Sequence, residues 1–174
     1  MLYVKENPTG IDKPIQKLQN RIWSGLLKAW GIAESDYNSF CRVYINRKDG
    51  GYIPEFYMGR NEYRETFFDD KVYATSFFVM DETVKFESTS MRTTGSLIFC
   101  VNLERLKSKV LHRADEEVRM DVVSLCNMYG FTVSSIQVGI KNVFREFSQD
   151  VIKFTDMHPF HCFRINMNII YDKC

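Results

Sequence analysis

His161-Cys162-Phe163-Arg164-Ile165-Asn166-Met167-Asn168-Ile169-Ile170-Tyr171 alternates with a period of two. His161, Phe163, Ile165, Met167, Ile169 and Tyr171 fall on one side; Cys162, Arg164, Asn166, Asn168 and Ile170 fall on the other. Successive side chains of a strand point to opposite faces, so the stretch predicts a long strand with one buried face and one mostly polar face. Such a strand needs partners. The apolar run Leu97-Ile98-Phe99-Cys100-Val101 predicts a central strand over 96–101, covered on both faces. Val72–Met80 carries apolar residues on both faces and reads as another strand, and 132–138 as a further one. Phe40–Asn46 alternates and leads through Arg47-Lys48-Asp49-Gly50-Gly51 into Tyr52–Met58, because Asp-Gly supplies the positive φ angles of a tight hairpin turn. Pro54 cannot donate a ladder hydrogen bond, so this return strand is expected at an edge, or paired on one side only there.

Helices fill the intervals. Asp12 as a cap and Pro14 in the first turn open a helix that runs to Trp30, with Gly31 as its stop. Ile15, Leu18, Ile22, Leu26 and Ala29 form one stripe, and Trp23, Leu27 and Trp30 a second beside it. Together they span about half the circumference, more than the roughly 100° that a surface helix needs. The excess marks Trp23, Leu27 and Trp30 as candidates for a partner surface, with both indoles not sealed inside one subunit; the alternative is a helix sunk in a groove of its own sheet. Asn102 can cap a short helix over 103–110. A fuller helix is expected over 114–130, with Asp115, Glu116 and Glu117 in the first turn and Val118, Val122, Leu125, Cys126 and Tyr129 as its stripe. Residues 140–147 read as a short helix. The order predicts a single α+β domain over 1–174, with a mixed or antiparallel β-sheet and helices packed on one face. Between two strong strands, Asp81–Gly95 is expected to be a long projecting connection in which Thr83-Val84-Lys85-Phe86 can form a short ribbon, ordered on assembly; the alternative is a floppy surface hairpin. Its Val84 and Phe86 are candidates to contact another chain on assembly.

Chemistry is sparse. Lys+Arg is 23 against Asp+Glu 22, a balance that argues against a dedicated nucleic-acid binder. No stretch of 18 apolar residues occurs and the first residues show no basic-then-apolar leader, so neither a membrane span nor a signal peptide is expected. Cys41, Cys100, Cys126, Cys162 and Cys174 are odd in number and scattered, which fits reduced thiols in a reducing compartment and no disulfide. His158, His161 and Cys162 have a metal-like spacing, but a zinc site needs a further ligand and a shared face, so no metal and no cofactor is expected. Asp69-Asp70, Asp81-Glu82 and Asp115-Glu116-Glu117 keep open a metal-dependent nucleic-acid-processing enzyme, and His161 with a cysteine a weaker nucleophilic pair; acids at loop edges and helix starts are more simply solvated or capping. Arg42, Arg47, Lys48, Arg60 and Arg64 interleave with Tyr44, Tyr52, Tyr57 and Tyr63. That mixture suits single-stranded nucleic acid or a protein interface. With 14 Phe, 9 Tyr and 8 Met, a subunit interface is the simpler placement, and Tyr52, Phe56 and Tyr57 join the candidate interface residues.

The leading amphipathic helix, the hairpin Phe40–Met58 with Ile53-Pro54-Glu55-Phe56-Tyr57, the mid-chain strands and helix, and the closing strand Cys162–Tyr171 resemble tail terminator or neck-ring (head–tail connector) proteins of tailed bacteriophages, in the style of crAss-like phages. The resemblance rests on the order of elements and covers most of the chain. It implies a tail-terminator-like fold and no catalytic residues. It also implies a structural virion protein of the neck or tail, assembled in the bacterial host cytoplasm as a homo-oligomeric ring, hexamer or dodecamer. Its neighbours would be portal, neck or tail proteins, with DNA only as passing cargo and no membrane. A generic protein-binding α+β domain is the remaining alternative.

Overall fold

The closing strand, predicted from its alternation, is the longest continuous ladder in the protein. The computed structural model describes residues 1–152 and 154–172. In chain order the strands and helices are β1 (Leu2–Tyr3), α1 (Asp12–Trp30), β2 (Tyr37–Arg42), β3 (Tyr44–Lys48), β4 (Gly51–Gly59), β5 (Glu62–Glu65), β6 (Ala74–Phe86), β7 (Ser90–Asn102), α2 (Leu103–Leu106), α3 (Asp115–Leu125), β8 (Phe131–Val138), α4 (Ile140–Val143) and β9 (Phe160–Asp172). They form one α+β domain with a mixed six-stranded sheet, ordered β1-β2-β6-β7-β9-β8, and a small sheet, β3-β4-β5. β1–β2 and β2–β6 are parallel and the remaining pairs antiparallel. Helix α1 is the crossover between β1 and β2, and the small sheet is the crossover between β2 and β6.

The two faces of the large sheet are covered differently. Ser76, Phe99 and Phe163 lie in one cross-strand row, and Phe77, Ile98 and Arg164 in the next, so these rows face opposite ways. The first row meets the long helices. Tyr37 joins Ser76 Oγ at 2.7 Å, its ring lies 6.1 Å from those of Phe99 and Trp30, and Trp30 Nε1 donates to Asp121 of α3 at 2.9 Å. The second row meets α4 and its continuation, with Phe77 and Phe147 rings 6.3 Å apart and Arg164 donating to the Val143 carbonyl at 3.1 Å. The expectation of helices on one face therefore holds for α1 and α3 alone. α4 and the small sheet cover the other face, and this is why the side of β9 expected to be polar is buried from Cys162 to Arg164.

Other expectations shift for local reasons. Ile15, Leu18, Ile22 and Leu26 are buried as the α1 stripe, each contributing about 1.5–3 kcal/mol, while Ala29 is exposed. Asp12 is not the cap: it is the first helical residue, and its carboxylate pairs with Lys5 at 2.7 Å and Arg42 at 2.8 Å. Phe40–Asn46 is split at Val43, β2 going to the large sheet and β3 to the small one. Asp49 (φ 49°) and Gly50 (φ 85°) make the predicted tight turn. β4 is the middle strand of its sheet, not an edge, but Pro54 has a ladder partner on one side only, as the other expected case has it: it pairs with Ile45 of β3, while β5 ends at Glu65 and Thr66 N binds the Pro54 carbonyl at 3.1 Å. Helix α3 stops at Leu125, which leaves Tyr129 98% exposed rather than on a buried stripe. The short helices end at Leu106 and Val143; Asn102 does cap α2, accepting from Arg105 N at 3.1 Å. The segment 81–95 is no loop. β6 and β7 continue as a ladder, with β9 still paired to β7, through a bulge between Met80 and Val84 to a tight turn in which Glu87 N binds the Ser90 carbonyl.

Candidate functional site

The outer half of the β6–β7 hairpin is the most distinctive surface feature. From Asp81 to Phe86 every residue of β6 is exposed, whereas Ala74–Val79 are buried, so the strand leaves the core near Met80. What keeps it a ladder is pairing. Val84, Lys85 and Phe86 oppose Thr93, Arg92 and Met91, and β9 follows β7 outward to Ser90–Asp172. Thr93 Oγ1 donates to the Thr83 carbonyl at 2.8 Å, and Thr94 hydrogen-bonds the Asp81 carboxylate across the bulge. Alternation gives this arm an apolar side, Val84 with Phe86 and Met91, and a basic side, Lys85 with Arg92. Val84 is 37% and Phe86 75% exposed. Arg92 pairs with Glu87 at 3.2 Å.

The other interface candidates scatter. Trp30 (8% exposed) and Phe56 are core residues of this subunit, Phe56 packing 5.8 Å from Phe40, so neither ring is offered to a neighbour. Trp23 and Leu27 are partly buried against the same core. Tyr52 is 51% exposed, and its backbone N–H is held by Ser148 Oγ at 2.8 Å. Tyr57 is half-buried beside Tyr63, with rings 5.2 Å apart. The structure thus gathers Val84 and Phe86 on the arm but does not join them to Tyr52, Tyr57 or the α1 indoles in one patch.

Two concave regions stand out, one beside the small sheet and one where β6 and β9 begin. An open cleft of about 1130 Å³ lies between residues 2–9 and the β4–β5 hairpin. In it Lys5 Nζ reaches Tyr44 Oη at 3.0 Å and sits 5.4 Å from the Tyr44 ring, while Arg64, at its edge, donates to Tyr3 Oη at 2.7 Å. Of the basic and tyrosine residues expected to interleave, Arg42 lies 5.2 Å from the Tyr44 ring and Lys48 pairs with Glu65 at 3.5 Å, while Tyr52 and Tyr63 are about half exposed. Burial would lower the Lys5 ammonium, but its bonds to Asp12 and Tyr44 hold it above its ordinary value. The second is a pocket of about 400 Å³ lined by Phe68, Asp69, Asp70, Phe154, Thr155 and Phe160. Its three rings stand edge to face, with centroids 5.6, 5.7 and 6.1 Å apart.

The acidic pairs do not converge. Asp69 caps its own turn, accepting from Lys71 N at 3.0 Å; Asp81 holds Thr94; Glu116 pairs with Arg119 and Glu117 with His112. Among the described residues no group of three or more His, Cys, Asp or Glu could hold a metal ion. His161 Nδ1 bonds Asp156 at 3.1 Å, and Asp156 also accepts from Cys162 N at 3.2 Å and pairs with Arg113 at 3.4 Å. Burial depresses the His161 pKa against the pull of Asp156. Burial also pushes the thiols up, Cys41 to about 11 and Cys126 to about 12, and Cys162 upward with help from Asp156, so none is an activated thiolate. Cys174 lies outside the described residues. No helix among the described residues is long and apolar enough to cross a membrane. No family model matches the chain, and no curated protein matches it.

Proposed function

We propose that the chain is a structural subunit that closes into a ring at the head–tail junction of a tailed phage virion, as a neck connector or tail terminator between portal and tail. The observation that carries the reading is the arm at 81–94, a bulged extension of the ladder whose β6 residues are exposed from Asp81 to Phe86. Its β6 strand is exposed from Asp81 to Phe86 and carries Val84 and Phe86 at the tip, while β7 is backed by β9 out to Ser90–Asp172. Its apolar side becomes useful when a second surface covers it. Repeated around a ring, one such contact per subunit is heterologous, one patch meeting a different patch on the next copy. The resemblance in element order supplies the phage setting, with portal, neck or tail proteins as the neighbours and DNA as passing cargo. Light scattering on the eluting protein, followed by negative-stain imaging, tests the reading. A discrete closed oligomer, hexamer or dodecamer, is expected; a monomer at all attainable concentrations overturns it.

A further inference from the structure

The outer side of α1 is a row of cations without acids. Asp12 is the one acidic residue of the helix, and it is buried in its pairs with Lys5 and Arg42. Lys13, Lys17, Arg21 and Lys28 are all exposed. They fall within an arc of about 80°, with the exposed Ser24 among them and the exposed Asn20 at the border. From Lys13 to Lys28 the row runs roughly 22 Å along the helix, at about 1.5 Å per residue. Among the described residues none of the four cations lies within ion-pair distance of a carboxylate or over an aromatic ring. Several cations elsewhere on the surface do sit beside acids, as Lys48 does with Glu65, Arg92 with Glu87 and Arg145 with Glu146. Like charges at i and i+4, as in Lys13, Lys17 and Arg21, work against a helix, so the row does not serve folding. Ile15, Leu18, Ile22 and Leu26 hold it rigid from beneath. Trp30 meets Asp121 and Gly25 abuts Leu125, so α3 runs antiparallel to α1. Its acidic first turn, Asp115, Glu116 and Glu117, therefore lies past the Lys28 end of the row.

These features choose a partner. A helix that binds an anionic membrane buries an apolar side beneath its cations, and the apolar side of α1 is already spent on the core. Single strands are held by stacking on aromatic rings, and no ring stands in the row. A DNA duplex carries one negative charge per about 1.7 Å of axis and asks only for cations. We propose that this face of α1 binds the phosphate backbone of double-stranded DNA without reading its sequence, through Lys13, Lys17 and Arg21, with Lys28 as a weaker fourth contact beside the acids of α3. The near-neutral balance of the chain is compatible with this, because the cations are gathered on one face. The proposal goes beyond the ring reading and does not need it, since a monomer carries the same face.

The test titrates a labelled mixed-sequence DNA duplex of about 30 base pairs with the full chain, reading fluorescence anisotropy at salt from about 50 to 200 mM. With four contacts the slope of log K against log salt is about −3.6, so affinity should fall about 150-fold across that range. Lys13→Gln, Lys17→Gln and Arg21→Gln together leave one contact, so binding should be weaker at low salt and the fall should shrink to about fourfold. This variant should melt no lower than the wild type, since repulsion along the helix is relieved, and the binding readout then reports the face and not the fold. Arg47→Gln, Lys109→Gln and Lys141→Gln together change the net charge equally from exposed positions elsewhere, and should stay within about twofold of wild-type binding. Wild-type protein that leaves the duplex free at the lowest salt overturns the proposal. So does an unchanged salt slope in the α1 variant, or an equal loss in the second variant. A preference for a single strand, or for phosphatidylserine vesicles, at equal charge overturns the duplex as partner.

Discussion

Arg164 is the largest fully buried side chain in the protein, and it is charged. It is tolerated because its donors are taken: Glu146 Oε1 at 2.6 Å with a second bond to the same carboxylate, the Val143 carbonyl at 3.1 Å and Asn166 Oδ1 at 3.1 Å. Burial alone would raise the Glu146 carboxyl, yet the guanidinium beside it holds it below its ordinary value. Arg164→Met leaves Glu146 only its contact with Arg145 at 3.0 Å and frees a helical carbonyl, so it should cost about 2 kcal/mol in urea unfolding. Adding Glu146→Gln should recover part of the loss, since no charge is then stranded; a double variant as weak as the single would refute the pairing argument. His161 gives a pH dependence of known sign. Its folded pKa is depressed below the ordinary 6.5, so the unfolded chain binds the proton more readily. The stabilising contribution is complete above 6.5 and is lost as the pH falls through the folded value. Thermal midpoints should drop on going from neutral pH to below 6.5, and His161→Phe should shrink that drop while keeping a ring against Phe163. An equal drop in both proteins would assign the effect to other groups.

At the scale of elements, the β8–β9 edge depends on one backbone conformation. Gly130 has φ 87°, and a Cβ there would lie 2.5 Å from the Ile170 carbonyl oxygen. The close approach serves the ladder, because Ile170 N donates to the Gly130 carbonyl at 2.8 Å. Gly130→Ala combines a left-handed penalty with a backbone clash and should cost about 2 kcal/mol or more, with faster amide exchange along Phe131–Val138. Wild-type exchange there would reject the argument. The elements that could be read from sequence carry local signals: the period of two in β9, the stripe and Gly31 stop of α1, and Asp49-Gly50. Those that could not carry none. β5 is exposed throughout, so no burial pattern marks it. β1 has two residues, and Gln19 of α1 clasps it by donating to the Tyr3 and Ser39 carbonyls at 3.0 and 2.9 Å. The polar side of β9 reads as solvated because nothing in sequence reveals that Glu146 returns to meet Arg164. The arm is visible in sequence as an overlong connection with a short ribbon at 83–86 and with Val84 and Phe86 singled out, but the continuity of β6 and β7 through it is hidden. β6 is exposed on both faces from Asp81 to Phe86, so no alternation of burial marks it there. The pocket was invisible for another reason: Phe68 lies far in sequence from Phe154 and Phe160, and only the fold joins them.

For the whole molecule the arm and the core are separable in energy, and this leads to a last prediction. Inside Met80 and Gly95 the β6–β7 ladder is buried between two covered faces; beyond them it is held by β-pairing and by the outward run of β9. Residue Thr93, opposite Ile169, is the main buried point of the outer half. Joining Asp81 to Thr94 through a two-residue Asn-Gly turn keeps the Met80–Gly95 pair as the end of a short hairpin and removes the tip. The shortened subunit should lose about 1 kcal/mol, a shift in melting temperature of roughly 2–4 °C, because few core contacts go with the arm. Its association should vanish, since the lost segment contains the apolar side of Val84 and Phe86 and the basic side of Lys85 and Arg92. Light scattering and a melt on the same sample read both quantities. A subunit that still assembles would move the interface to Tyr52, Tyr57 and the exposed edge of α1. A subunit that no longer melts cooperatively would make the arm part of the fold rather than an attachment to it.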